Sequence, residues 1–597
     1  MADDDGAEES LVIGIDFGTT YSGVAWATTT DFKAGQVNFI TSWPGNGREE
    51  GKVPTEIWYN GDEDEPNWGY DIPPYADPFR WFKLLLLKEE DLAPIIRENS
   101  IMIRARDAMN KAGKTAVELV ADYLRLLWRH TMSSIEKARG ESVIEALQIH
   151  IVVTVPAIWQ NYAREDMKSA AWRAGLFELR LAGTTKLTFA PEPEVAALPT
   201  LLDQGAGVRQ GQVYLICDAG GGTVDLITYE VNSTNPIVLQ EAVEGTGGLC
   251  GGIFIDQMFE QMCSGRLESK WTRLSKRGLR EIMKDEWEYG VKAQFKAGRA
   301  GKEYVISLPA EMFGQSASSL NDMKRRPHIK DGRIHFQEDH IRSAFDPVVN
   351  DINELVKQQI EKAAAKDLRV TGIILVGGLG CSPYLYEYLK AAHSGAGIIL
   401  FQSGGVKPRT AICRGAVVKG FTEKQNGRLG PEPLIAIAST VSRASYGILY
   451  HTEFSEYVHL KEDRVWCPHR EEYRANDQTR WYLKRGDAVS KIKPKRLSWQ
   501  QLWKEDEFDG MLTIRIFQCA GQNPPTRKTS SVRKLGSVVC KLDVKFSELP
   551  DFESKTGVMM KELNFELESV PSGASVEFMV YVDGRKQSCV STKIRLV

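Results

Sequence analysis

The sequence predicts an α/β fold, two equivalent lobes facing a common cleft, with a C-terminal all-β module. Three observations predict it. "LVIGIDFGTT" near the N-terminus and "VYLICDAGGGT" from Val213 share one layout, an apolar strand that ends in Asp and runs into Gly and Thr. Helical and strand patterns alternate up to about residue 425. Beyond it the chain turns to short alternating stretches such as "SYGILYH", "MLTIRIFQ", "VVCKLDVKF" and "ASVEFMVYVDG", divided by polar or Gly/Pro turns. That is the pattern of a β-sandwich-like module.

Taken in order, residues 1–10 read as a disordered acidic tail, and 11–30 as a hairpin around Gly18. The run 114–138 carries apolar residues at helical spacing. "ALQIHIVVTVPAIW" is a β-branched strand halted at Pro156, and "NYAREDMKSAAWRAGL" a helix ended by Gly175. The second hairpin, 213–231, opens the second lobe. Residues 338–366 are helical. "VTGIILVGGLGCSP" is a strand entering a glycine turn, with a helix from about Pro383 and another over "VKPRTAICRGAVVKGF". "NGRLGPEP" is a linker that divides 11–425 from 426–597. Trp499 and Trp503, four apart, are expected to pack one helix face.

A chain of 597 residues allows about four compact units. Its 75 basic and 79 acidic side chains nearly balance, which gives no pull toward nucleic acid or an anionic membrane. No window is long and apolar enough for a transmembrane helix, and "MADDDGAEES" lacks the form of a secretion signal. Nine scattered Cys without a CxxC pair argue against disulfides and zinc, and for a reducing compartment. The expected location is cytoplasmic, with a nuclear one open through "KIKPKRL".

The two Asp–Gly–Thr turns carry the chemistry. Phosphate needs close backbone N–H donors, and glycine permits the approach. Magnesium takes few carboxylates and keeps several waters. Gly18, Thr19 and Thr20 on one side, and Gly220, Gly221, Gly222 and Thr223 on the other, could wrap a triphosphate. Asp16 and Asp218 could hold the waters of a magnesium ion. Alone, either turn has an ordinary structural reading; together and in order they point to one nucleotide site. No GxxxxGK[ST] run is present, so a P-loop is excluded.

With "KVPTEIWY", "IVVTVPAIW", "FAPEPEVAAL", "GGLCGGIFID" and "IILVGGLGCSPYL" also in order, residues 11–422 resemble the seventy-kilodalton heat-shock chaperones. These belong with actin and the sugar kinases. The resemblance implies duplicated actin-like (ribonuclease H-like) ATPase lobes binding ATP or ADP with Mg2+. It implies that Asp16 and Asp218 flank the metal, with Glu192 in its water shell, and that Thr19, Thr20 and Tyr21 line the phosphate loop. It gives Lys83 the attacking water and γ-phosphate, and places Thr223 and Asp225 in the second phosphate loop. Gly251, Gly252, Gly377 and Gly378 approach the sugar and base, and Pro156 and Arg164 match a switch reporting nucleotide state.

The chain also departs from that pattern. Leu379 and Cys381 stand where the family has Ser and a base-stacking Arg, and Ala293 replaces a second Arg beside the retained Glu288 and Lys292. Arg409 replaces a commonly acidic residue. Each lost cation–π contact removes about 0.5–2 kcal/mol, so adenine is expected to bind more weakly, with Leu379 compensating. The β-module resembles a divergent peptide-binding domain without the helical lid, as in an atypical, fungal-type branch. The implied function is an ATP-hydrolysing, chaperone-like protein coupling nucleotide state to polypeptide binding, with co-chaperones unspecified. A nucleotide-gated interaction protein with little turnover and a small-molecule kinase are the alternatives.

Overall fold

The structure, a computed structural model, describes residues 9–61, 65–92, 97–156, 159, 161–204, 207–299, 301–313, 320–402, 404, 407–424, 435–490, 495–572, 575–590 and 593–595. Most of the expected tail and the whole "NGRLGPEP" linker lie outside these residues, although Ser10 already belongs to the first strand. The chain divides into two compact units, 1–238 with 245–436, and 239–244 with 437–597.

In the first unit, Ser10–Asp16 and Tyr21–Thr28 form the expected antiparallel hairpin, with Asp16 opposite Gly23. Gln148–Val155 pairs parallel to Ser10–Asp16, and Lys186–Pro191 parallel to Gln148–Val155. The second hairpin, Val213–Ala219 with Val224–Thr234, has the same neighbours. Val370–Val376 runs parallel to its first strand, and Ile399–Gln402 parallel to that. The central strands read as continuous apolar runs because both faces are covered.

Helices fall where the periodicity predicts them. Ala116–Arg139 starts with a capping box: Thr115 Oγ1 accepts from Glu118 N, and Glu118 Oε2 accepts from Thr115 N. It ends at Gly140, whose φ of 90° suits glycine. Pro383–His393 begins at Ser382, whose side chain accepts from Leu385 N. Lys407–Lys424 packs at glycines: a Cβ on Gly14 would lie 2.3 Å from Cys413 O, and one on Gly415 1.7 Å from Val195 O. Strand and helices therefore approach backbone to backbone. Among the described residues no helix is long and apolar enough to cross a membrane.

The second unit is built of strands. One sheet runs in the order 464–467, 472–483, 445–453, 511–519, 533–541, 588–590, and another contains 495–503, 559–572 and 575–582. Tyr446, Tyr482, Leu512 and Ile516 from one sheet share a core with Leu563, Phe565, Phe578 and Val580 from the other. Residues 239–244 belong here because Glu241 accepts from Val441 N at 2.7 Å and Glu244 pairs with Arg485 at 2.8 Å. The unit's long segment begins at 437, and the residues around the expected boundary at 426 lie outside those described.

Two expectations are corrected in this unit. Trp499 and Trp503 lie on the strand Lys495–Trp503, not on a helix; a spacing of four shares a face on a strand as well as on a helix. Both pack against the core, and Trp499 Nε1 donates to Tyr482 OH at 2.5 Å. Cys540 is disulfide-bonded, although no disulfide was expected. Strand pairing brings distant cysteines within bridging reach, which spacing along the chain does not reveal.

Alanine is normally the better helix former than glycine by about 1 kcal/mol. Gly415→Ala is expected to do the reverse, destabilising the protein by about 2 kcal/mol or more in denaturant unfolding, because its methyl meets the Val195 carbonyl. A neutral or stabilised variant would sink this account of the helix packing.

Candidate functional site

The two hairpin turns abut. A Cβ on Gly221 would lie 2.0 Å from Thr20 Oγ1, and one on Gly222 2.8 Å from Thr19 Oγ1. Gly18 has no room either, since its Cβ would meet Tyr21 O at 2.1 Å. The first turn is anchored by Thr55 N, which donates to Thr20 O at 2.8 Å. The second is held by the start of the helix Gly252–Leu267: the amides of Gly251, Gly252 and Ile253 donate to Gly222 O, Gly220 O and Gly221 O at 3.1, 3.1 and 2.9 Å.

Around these turns lies one cleft. It is lined by Asp16, Gly18, Thr19, Thr20, Tyr21, Lys83, Glu192, Asp218, Gly220, Gly221, Gly222, Thr223, Gly252, Glu288, Lys292, Gly377, Gly378 and Leu379. Two expected site residues do not line it. Asp225 is buried opposite Asp218 in the hairpin, and Gly251 backs the glycine loop. Pro156 and Arg164 are buried away from the cleft lining.

Charge is concentrated on the cleft floor. Lys83, 1% exposed, donates to Glu192 Oε1 at 2.7 Å and to Phe17 O at 2.6 Å. Its ammonium lies 5.7 Å from the Phe17 ring and 5.4 Å from the Trp159 ring. Lys83 is thus fully buried with a fixed partner. Burial raises the Glu192 carboxyl above its usual range, Lys83 opposes that, and Asp16 adds to it. Asp218 is raised well above the carboxylate range by burial first, then by Glu192, Asp225 and Asp16. Its Oδ1 is buried with no hydrogen-bond partner, and a Cβ on Gly377, at φ +87°, would lie 2.4 Å from that oxygen.

Several lining residues escaped the sequence reading: Glu50, Lys52, Tyr70, Asp256 and Tyr289. Lys52 Nζ sits 2.5 Å from Asp16 Oδ2. Burial pulls the Lys52 ammonium down, but the Asp16 carboxylate outweighs it and holds the group above the ordinary lysine range. Lys52 opens "KVPTEIWY", yet a lone lysine at the head of a strand-like stretch announces nothing.

The opposite rim is tyrosine-rich. Glu288 and Lys292 come from Glu281–Lys292, which is wound as a π-helix, a rare form that is frequent at functional sites. Tyr21 OH donates to Glu288 Oε1 at 3.1 Å and lies 3.1 Å from Tyr289 OH. Lys292 Nζ donates to Asp256 Oδ1 at 2.6 Å and to Gly252 O at 3.0 Å. The departures Ala293, Leu379, Cys381 and Arg409 all line the same cleft.

The floor fits a divalent ion held through water. Asp16, Glu192, Asp218 and Asp225 outnumber Lys52 and Lys83, and Asp218 Oδ1 has no partner. Among the described residues no group of three or more His, Cys, Asp or Glu is placed to hold a metal directly. Asp16, Asp218 and Glu192 would therefore act on the ion's waters rather than as a three-ligand cage, as suits magnesium.

No known protein-family profile matches the chain. It is 24% identical to human heat shock 70 kDa protein 12B over 491 residues, covering 69% of each chain. Human heat shock 70 kDa protein 12A matches at 23% over 531 residues, covering 76% of this chain and 75% of that one. The chaperone protein DnaK of Thermoplasma volcanium matches at 26% over 289 residues, 48% of this chain and 41% of its own.

A carboxyl whose folded pKa is raised weakens the fold once pH exceeds its unfolded value, and the penalty grows until the folded pKa is passed. Ligand-free Asp218→Asn is therefore expected to melt about 1–4 °C above the parent at neutral pH. The gap should close as pH falls to the unfolded carboxylate value, where folded and unfolded chains are both protonated. Melting curves in a pH series check this, and a lower Tm for the variant at neutral pH would contradict it.

Proposed function

We propose that the chain, a distant relative of the 70 kDa heat-shock proteins, binds Mg-ATP in this cleft and hydrolyses it. The supporting observation is the contact between the two Asp–Gly–Thr turns above four crowded carboxylates and Lys83. In this reading the two matching hairpin sheets are the duplicated lobes of an actin-like ATPase. Nucleotide state would bias the affinity of the β-strand unit for extended polypeptide, by strand addition or in a side-chain groove.

The residues divide the work. The turn glycines let backbone approach phosphate, and the Thr19, Thr20 and Thr223 hydroxyls stand beside them. Asp218, and Asp16 where Lys52 leaves it free, would hold the waters of magnesium, which when bound neutralises phosphate charge. Glu192 fixes Lys83, and two of the three ammonium protons are already committed to Phe17 O and Glu192. The third remains to orient an attacking water toward the γ-phosphate, catalysis by positioning and charge. Asp225, behind Asp218, keeps the floor negative and so favours a cation.

One observation favours a second reading, a nucleotide-gated interaction protein with little turnover. The base side carries Ala293, Leu379 and Cys381, and Glu288, Lys292 and Tyr21 are engaged with one another's neighbours rather than open. Single-turnover phosphate release separates the two readings.

Lys83→Met keeps the stem's length and removes the donor. It is expected to slow single-turnover ATP hydrolysis about 100-fold while ATP affinity stays within about threefold, with folding verified by circular dichroism. A folded variant that hydrolyses at the parent rate removes Lys83 from the mechanism.

A further inference from the structure

Lys52 reaches Asp16 by a built route. The short strand Val53–Pro54 pairs with the first hairpin, Val53 opposite Ser22 and Pro54 opposite Tyr21, which sets Lys52 beside Gly23. A Cβ on Gly23 would lie 3.2 Å from Lys52 Cγ and 3.6 Å from its Cε, so the lysine stem lies along this glycine. Gly23 is the residue opposite Asp16 in the hairpin register. Tyr70 OH donates to Lys52 O at 3.1 Å and fixes the backbone from the other side. The stem therefore crosses the hairpin over its glycine, and the ammonium arrives 2.5 Å from Asp16 Oδ2 with the side chain 13% exposed.

The position of this charge conflicts with a purely metal-held site. Asp16 is one of the two carboxylates expected to hold the waters of a divalent ion. An ammonium is a compact, strongly hydrated point charge with three donors, and lysine is a common phosphate binder in that role. One oxygen of Asp16 cannot serve the ammonium at 2.5 Å and a metal-bound water in the same place. Being tethered, the ammonium needs no recruitment from solvent, so it competes with a free ion at a high effective concentration.

We propose that Lys52 is the built-in cation of the nucleotide site: its ammonium stands on Asp16 where an ion's water would stand, faces the phosphates, and makes nucleotide binding nearly independent of magnesium. The inference rests on the nucleotide reading of the cleft. It differs from a merely structural role, in which Lys52 only neutralises a buried Asp16. A structural lysine would alter stability when removed, but not the magnesium dependence of binding.

The test is calorimetric titration of the full chain with ADP and with ATP, in magnesium buffer and in EDTA. The parent Kd is expected to agree between the two buffers within about threefold. Lys52→Met is expected to bind at least about tenfold more weakly in EDTA than in magnesium, and Lys52→Arg, which keeps the charge, to behave as the parent. A parent that loses more than about tenfold in EDTA overturns the inference and leaves the nucleotide site standing. So does a Lys52→Met protein with the parent's ratio. The parent comparison needs no variant to fold. Absence of binding in both buffers overturns the nucleotide reading, and this inference with it.

Discussion

Two strands end in carboxylates, Asp16 and Asp218, and the fold buries both at the floor of one cleft. Asp225 and Glu192 are buried beside them. An uncompensated buried charge is costly, so the surrounding structure is arranged to supply positive charge or donors. Lys83 is threaded between aromatic rings onto Glu192, and Lys52 is laid across Gly23 onto Asp16. A Cβ at Gly221 or Gly222 would strike the opposing threonines, one at Gly18 the Tyr21 carbonyl of its own turn, and one at Gly377 the Asp218 carboxylate. The composition of the cleft follows from this one constraint.

Much of this was legible in the chain. A strand ending in Asp–Gly–Thr appears twice, and a parallel central strand must be apolar on both faces, so the echo shows in the letters. The helices at 116–139 and 383–393 carry their own start signals in Thr115 with Glu118 and Ser382 with Pro383. Lys52 was illegible because its significance lies in register: it sits across from Asp16 only through the pairing of Val53–Pro54 with the first hairpin. Trp499 and Trp503 misled because a spacing of four fits both periodicities. The rim residues Tyr70, Asp256 and Tyr289 come from segments whose local sequence has no reason to converge.

The base side of the cleft shows how such departures can be read together. Ala293 and Cys381, where the family resemblance leads one to expect arginines, share the cleft with Tyr21, Tyr70, Tyr289 and the apolar Leu379. Tyrosine offers a large apolar face and one polar tip, so a base can be covered without a cation–π contact. Arg409, exposed at the same cleft, returns one guanidinium from a different helix. On the proposed nucleotide reading, contacts to a base would be spread across this rim.

The two lysines of the floor are held in different ways, and the difference sorts their roles. Lys83 is 1% exposed, bonded to a carbonyl and a carboxylate, and enclosed by two rings. Breaking a buried pair of this kind leaves a stranded charge at about 3–5 kcal/mol, so its ammonium stays in place whatever occupies the cleft. Lys52 is more exposed, and its stem rests on a glycine that leaves room above it. Moving its ammonium toward a phosphate exchanges one anion for another instead of abandoning a partner. A fixed cation suits positioning of a reacting group, and a movable one suits recognition of an arriving charge. On the proposed reading the floor holds one of each.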